Sequence, residues 1–202
     1  MKKNINFLDL GLQPLANNYI NKKDLKKKEK KYRLKVGIDL KTKLVSINKP
    51  ISSKIMFNNK YPYRSSMSKT MIKSFLDLSK IINKKFNPNK ILEIGSNDGS
   101  FIKNFSKKKV IGIEPCSNVE KIKKKMGFNT FPDYWDLKTA RKIFKKNGNV
   151  DLIYSANTIS HIQNLDEVFK SINIVLNDKG ILIIEDPSLL ECLKKNTYDQ
   201  FY

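Results

Sequence analysis

The spacing of apolar residues along this chain changes several times, and each change marks an element. Ile91, Leu92 and Ile94 form a short apolar run between Lys90 and Gly95, as expected of a strand buried in a parallel sheet. The turn Gly95-Ser96-Asn97-Asp98-Gly99 follows, and Phe101, Ile102 and Phe105 then recur at helical spacing. Val110 to Ile113 reads as a second buried strand, closed by Glu114. Upstream, Met67, Met71, Ile72, Phe75, Leu78, Ile81 and Ile82 share one face of a helix that ends at Asn87-Pro88-Asn89. Downstream the pattern predicts a helix from about Ser117 to Met126 and a short strand from Phe128 to Phe131. A strand from Asp151 then runs into a loop reaching Ile162. Leu165, Val168, Phe169, Ile172, Val175 and Leu176 mark a further helix, stopped by a turn at Asn177 to Gly180. A strand from Ile181 to Pro187 and a short helix over Leu189 to Leu193 complete the series. Five β/α units predict an α/β fold with a doubly wound, Rossmann-like sheet of five parallel strands.

Residues 1–60 differ in character and are read as a small β-rich N-terminal module, with 61–202 as the main domain. Asn6 to Ile20 begins like a strand, turns at Gly11, and meets Pro14, which precludes continuing a regular element. Lys22 to Lys31 is a charge run suited to a solvated loop or helix face. Lys31 to Ile47 alternates in short runs compatible with a hairpin.

Composition changes this picture little. The net charge of +21 comes from 40 Lys+Arg against 19 Asp+Glu, and a clustered excess of that size would point to nucleic acid. The cations are dispersed lysines, including Lys107 to Lys109 and Lys123 to Lys125, and arginine is scarce. They are read as solvated faces, with nucleic acid an unlikely partner. A basic surface would still attract an anionic nucleotide-linked substrate. Cys116 and Cys192 form no disulfide framework. No 18-residue apolar run and no signal segment stands in the sequence, so a soluble, cytoplasmic protein without a membrane partner is expected.

Strand, glycine turn, second strand and terminal carboxylate together describe the nucleotide-binding half of a doubly wound sheet. Glycine admits close backbone approach to a ligand, and an acid about 20 residues on can accept both ribose hydroxyls. Only Gly95 and Gly99 are present, so the dinucleotide form of the motif is not met. Glu93, Gly95 and Gly99, with Glu114 ending the next strand, look like the S-adenosylmethionine (SAM) site of class I methyltransferases. The alternative is an ordinary βαβ unit whose glycines serve only the turn.

Several stretches in order resemble one family, the SAM-dependent C-methyltransferases that act on nucleotide-linked deoxysugars. They are Leu8 to Ile20, Tyr61 to Ser68, Leu92 to Phe105, Ile111 to Val119, Ala156 to Val168 and Lys195 to Tyr202, spanning almost the whole chain. The resemblance implies SAM as cofactor and a keto-deoxysugar nucleotide as substrate, methylated at a deprotonated carbon. It places Glu93, Gly95, Ser96, Asn97, Gly99, Glu114, Pro115 and Asn157 at the cofactor. Glu114 is the ribose acceptor, Asp98 a brace of the loop, and Asn157 a contact to the methionyl portion or the substrate. His161 matches a histidine beside the sugar, where it would polarise the keto or enolate oxygen. Tyr202 matches an active-site tyrosine, and Tyr63 a substrate contact.

Two departures qualify the resemblance. The family's N-terminal module holds zinc with two pairs of cysteines, yet residues 1–60 contain no cysteine, so no metal is expected. The family also continues past the final tyrosine into a His-Glu-His motif, which carries the base, and a second Rossmann-like domain. The closing antiparallel strand pair of the sheet would lie there too. A truncated or split product is therefore expected, weak or inactive alone and completed by a further domain or a partner chain. The competing readings are a non-catalytic SAM- or nucleotide-binding fragment and an RNA methyltransferase, which the charge favours and the scarcity of arginine disfavours.

Overall fold

Asn4–Pro14 (β1) is one strand, and the turn expected at Gly11 is a bulge inside it. The register against the next strand slips between Asp9 and Leu12, and the Gly11 N–H turns back to donate to Asp9 Oδ1 at 3.0 Å. Arg33 holds the same carboxylate with two hydrogen bonds, at 3.1 and 2.6 Å, which keeps Asp9 below its ordinary pKa. Arg33 lies on Lys31–Asp39 (β2), which forms the expected hairpin with Val45–Ile47 (β3). The three strands make an antiparallel sheet in the order β1-β2-β3. At the hairpin turn Asp39 Oδ1 accepts from the N–H groups of Lys41 and Thr42. The lysine run before β2 forms an exposed 3-10 turn, Lys22–Asp24, as a solvated segment should. A single helical turn, Ser53–Met56 (α1), follows the sheet.

The computed structural model describes residues 4–197, which fall into two units. The first takes in residues 4–56 and 187–197, the second residues 57–186.

The second unit opens with a 3-10 turn, Ser65–Met67, and the helix Lys69–Lys85 (α2). Ser68 caps α2 by accepting from the Met71 N–H at 3.2 Å. That cap leaves Met67 outside the helix and 79% exposed, and Ile81 also faces outward, contrary to the expected apolar face. Phe75, Ser79 and Ile82 are the buried positions.

Ile91–Ile94 (β4) and Val110–Ile113 (β5) come next, but no α-helix joins them. The link is two 3-10 turns, Ile102–Asn104 and Lys107–Lys109. Asn104 explains the difference: its side-chain amide donates to the carbonyls of Ser100 (3.2 Å) and Phe101 (3.0 Å), the acceptors a continuing helix would use. Ser117–Lys125 (α3) and Asn129–Phe131 (β6) lie where expected. Leu137–Asn147 (α4) was not anticipated. Its N-cap Asp136 accepts from the Thr139 N–H at 2.7 Å, and Gly148 ends it.

Val150–Ala156 (β7), Leu165–Val175 (α5) and Leu176–Glu185 (β8) complete the sheet, and Leu189–Lys195 (α6) follows. The turn expected at Asn177 to Gly180 is a wide interruption of β8. Leu176 pairs with Val150, and the ladder resumes at Ile181 opposite Leu152. Asn177 Nδ2 donates to Asp151 Oδ1 at 2.6 Å and keeps the looped-out residues against β7.

All five strands of this sheet are parallel, in the order β6-β5-β4-β7-β8. The chain leaves β4 toward one neighbour and later returns beside it on the other side. The carboxyl end of β4 is therefore a topological switch point, where ligands bind in such sheets. Alternate strand residues feed two cores. Leu92, Ile94, Ile111, Ile113 and Ile153 pack with Trp135, Ile143, Val168 and Ile172 on one face. Ile91, Val110, Leu152 and Tyr154 pack with Phe75, Ile82, Phe101 and Phe105 on the other. Burial on both faces is why these strands read as continuous apolar runs.

Candidate active site

The turn after β4 and the end of β5 are bolted together. Ser96 donates twice to the Ile113 carbonyl, through its N–H at 2.8 Å and its hydroxyl at 3.0 Å. The Asn97 N–H donates to Glu114 Oε2 at 2.9 Å, and the Cys116 N–H donates to Glu114 Oε1 at 2.8 Å. One carboxylate thus fixes the exits of both strands, and its two oxygens can accept more than these two hydrogen bonds.

Gly95 and Gly99 have φ of 73° and 85°, a region that disfavours residues bearing a Cβ. The room they leave is used by protein atoms. A Cβ on Gly95 would sit 2.1 Å from Thr158 Oγ1, and one on Gly99 2.9 Å from Lys123 Cγ. Thr158 follows Asn157, which also has positive φ (48°) and anchors its N–H on the Glu185 carbonyl at 2.7 Å. Asn157 therefore stands at the end of β7, beside the glycine turn.

Residues 57–66 lie across this end of the sheet. The Ser65 N–H donates to Asn97 Oδ1 at 2.9 Å and the Ser66 N–H to Asp98 Oδ2 at 3.1 Å. Asn97 Nδ2 in turn donates to the Tyr63 carbonyl at 3.3 Å. Asn118 Nδ2 donates to the Tyr61 carbonyl, and the Tyr134 hydroxyl to that of Phe57. Burial by itself would raise the Asp98 pKa, but the donors of Ser66 and Ser100 outweigh it and hold the carboxylate below its ordinary value. Asp98 braces the loop as expected. Ser66, which donates to Asp98, Ser65, which donates to Asn97, and Thr158, against Gly95, were not singled out as site residues from the sequence, because they approach from distant segments.

Glu93 points to the Phe101 side of the sheet, 4% exposed, and its Oε2 has no hydrogen-bond partner among the described residues. Burial drives its pKa well above the usual carboxylate range, against the pull of Lys123. A buried carboxyl oxygen without a partner among the described residues, two positions before the glycine turn, fits a polar ligand at this end of the sheet.

His161 ends a 3-10 turn, Ile159–His161, with its ring 5.7 Å from that of Phe57. Burial lowers its pKa, and nearby Asp186 pulls the other way without reversing the shift. A folded-state pKa below the unfolded value near 6.5 contributes stability that is present above that value and lost as pH falls through it. A shallower fall in stability below pH 6.5 is accordingly expected for His161→Asn in urea titrations across pH. An unchanged slope would show that His161 is not the group titrating. Tyr63 is 44% exposed. Tyr202 lies outside the described residues, and Pro115 directly follows Glu114.

Lys123 corrects the sequence reading. The run Lys123 to Lys125 reads as a solvated face, yet Lys123 is wholly buried, because α3 turns Val119, Glu120 and Lys123 inward.

Comparison with known proteins bears on both parts of the chain. A family described as a zinc binding domain matches residues 2–57. Zinc requires Cys, His or carboxylate donors converging on one point. Residues 2–57 contain neither Cys nor His, and no group of three such donors that could hold a metal occurs among the described residues. The residues present do not fit the metal. Metal analysis of the purified protein is expected to find zinc far below one per chain, and a stoichiometric value would refute this.

The C-methyltransferase NovU of Streptomyces niveus is 24% identical over 203 residues, covering 98% of this chain and 48% of that protein. The chain thus spans about half the length of the curated relative it matches. Among solved structures, the plantazolicin methyltransferase BamL, in complex with a triazolic desmethylPZN analog and SAH, aligns with a TM-score of 0.50 at 20% identity. That alignment covers 67% of this chain and 55% of BamL. Its counterpart BpumL, in complex with SAH, aligns at 0.51 and 16%, covering 65% and 53%. These two likenesses show the fold, that of an α/β sheet with the same parallel core. The methyltransferase domain family matches residues 63–200, which take in the glycine turn, Glu114, Asn157 and His161, and this chain belongs to that family.

Proposed function

We propose that the chain is a SAM-dependent C-methyltransferase that methylates a deprotonated carbon of a keto-deoxysugar nucleotide. The observation that carries this reading is the match to a C-methyltransferase along 98% of the chain, in agreement with the ordered motif resemblance. The switch-point geometry supports the cofactor. The Gly95 to Asn97 backbone would receive the amino-acid end, with Glu93 buried beneath it, and Glu114 the ribose hydroxyls, with Pro115 and Gly99 shaping the rim. When bound, SAM supplies a methyl group on a sulfonium, ready for in-line transfer to a carbon nucleophile.

The chain's own residues hold and orient the reactants, which is worth several kcal/mol in such transfers. His161, kept neutral by its burial, can donate a ring N–H to the keto or enolate oxygen. Tyr63 is exposed and can reach a sugar or nucleotide. Asn157 faces the same space from the end of β7, and Tyr202 keeps the active-site place that the resemblance implies. The dispersed lysines draw an anionic nucleotide toward the surface.

A second reading, a fragment that binds SAM without turnover, is favoured by the 48% coverage of the relative. Incubation with 13C-methyl SAM and a keto-deoxysugar nucleotide, followed by NMR of the product, separates the two. Any methyl transferred is expected on carbon. An oxygen-bound methyl would overturn the C-methylation reading, and binding of S-adenosylhomocysteine (SAH) with no labelled product would establish the second reading for this chain.

A further inference from the structure

Lys123 reaches from the buried face of α3 beneath the glycine turn, and its surroundings are unusual for a lysine. The side chain is 0% exposed, its stem fills the space Gly99 leaves open, and its ammonium donates to the Asn97 carbonyl. Burial pushes its pKa down, and four carboxyl groups oppose that: Glu114 after β5, Glu93 from β4, Glu120 from α3 and Asp98 from the turn. All four are nearly inaccessible, at 4–6% exposure. A buried cation against such a group is expensive to remove, since the carboxylates then lose their counter-charge.

Asn97 is where this matters. The residue has a left-handed φ of 43° and is held at both ends: its N–H by Glu114 Oε2, its carbonyl by Lys123. We propose that Lys123 is a positioning residue for the cofactor loop, pinning Asn97 so that the Asn97 N–H holds the Glu114 carboxylate in place for the ribose. This rests on the assignment of the Gly95 to Gly99 turn and Glu114 to SAM. It gives Gly99 a second role, to make room for the lysine stem.

A purely structural lysine and a positioning lysine differ in their coupling to Glu114. Lys123→Met keeps the stem and removes the ammonium, while Lys123→Gln keeps a donor toward Asn97 without the charge. SAH affinity is measured by calorimetry for wild type, each Lys123 variant, Glu114→Gln and the double variants, with thermal unfolding as the check on folding. Lys123→Met is expected to weaken SAH binding by about 10-fold or more, and the double variant to bind no worse than the weaker single, a non-additivity typical of residues acting through one another. Wild-type affinity in Lys123→Met, or losses that multiply in the double variant, would overturn the proposal. So would failure of both Lys123 variants to fold, which would make the residue structural only. Absence of SAH binding by wild type would overturn the cofactor assignment and this inference together. Wild-type binding with an indifferent Lys123→Met removes this inference alone.

Discussion

Glu114→Ala is expected to weaken SAH binding roughly 10- to 150-fold, the loss of about 1.5–3 kcal/mol that accompanies a broken charged hydrogen bond. The carboxylate is 5% exposed and already accepts from the Asn97 and Cys116 N–H groups. Alanine therefore removes the ribose acceptor and also frees two backbone donors that hold the cofactor turn in shape. Glu114→Gln should fall between alanine and wild type, because one amide oxygen remains to accept. Calorimetry with SAH decides the matter. Unchanged affinity in Glu114→Ala would remove the residue from the ribose role, whatever its part in the turn.

How much of the fold could be read from the chain depended on whether the controlling contacts were local. The strands at Ile91 and Val110 are short runs buried on both faces, so their apolar pattern is self-sufficient. The Phe101, Ile102 and Phe105 pattern was also read correctly as buried, but not as to element. Burial set the spacing, while the Asn104 side chain took the carbonyls a helix needs. Asn177 to Gly180 has the composition of a terminating turn, and only Asp151, across the sheet, makes it an interruption within β8. The helix Leu137–Asn147 did carry local signals in Asp136, Ala140, Ile143 and Gly148. They lay within a lysine-rich stretch that masked the period.

The candidate site divides in the same way. Glu93, Gly95, Ser96, Asn97, Gly99 and Glu114 come from one β-turn-β unit and are legible as a unit. Thr158, Ser65 and Ser66 meet that unit only through the fold; the stretches that hold them match the family, but nothing local says that these residues touch the turn. Lys123 was hidden for a different reason. A lysine that opens a run of three reads as solvent-facing unless the carboxyl groups of three other segments are known to converge on it.

Phe101→Ala should cost about 3–5 kcal/mol of folding stability, the range for deleting a large aromatic from a packed core. Phe101 is fully buried two residues beyond Gly99. Its ring lies 4.1 Å from that of Tyr154 on β7, 5.1 Å from Phe105 and 5.9 Å from Phe75 on α2. It therefore ties the glycine turn to the helix and to the sheet at once. Truncation leaves a cavity on the face where Glu93 is buried, among side chains that close packing holds in place. Phe101→Leu retains most of the volume and should cost under about 2 kcal/mol by comparison. Urea unfolding gives both values. SAH affinity measured on the folded fraction adds the functional consequence, because a turn that loses its anchor no longer holds Asn97 against Glu114. A stability loss below about 1 kcal/mol for alanine would show that the aromatic cluster does not anchor the turn.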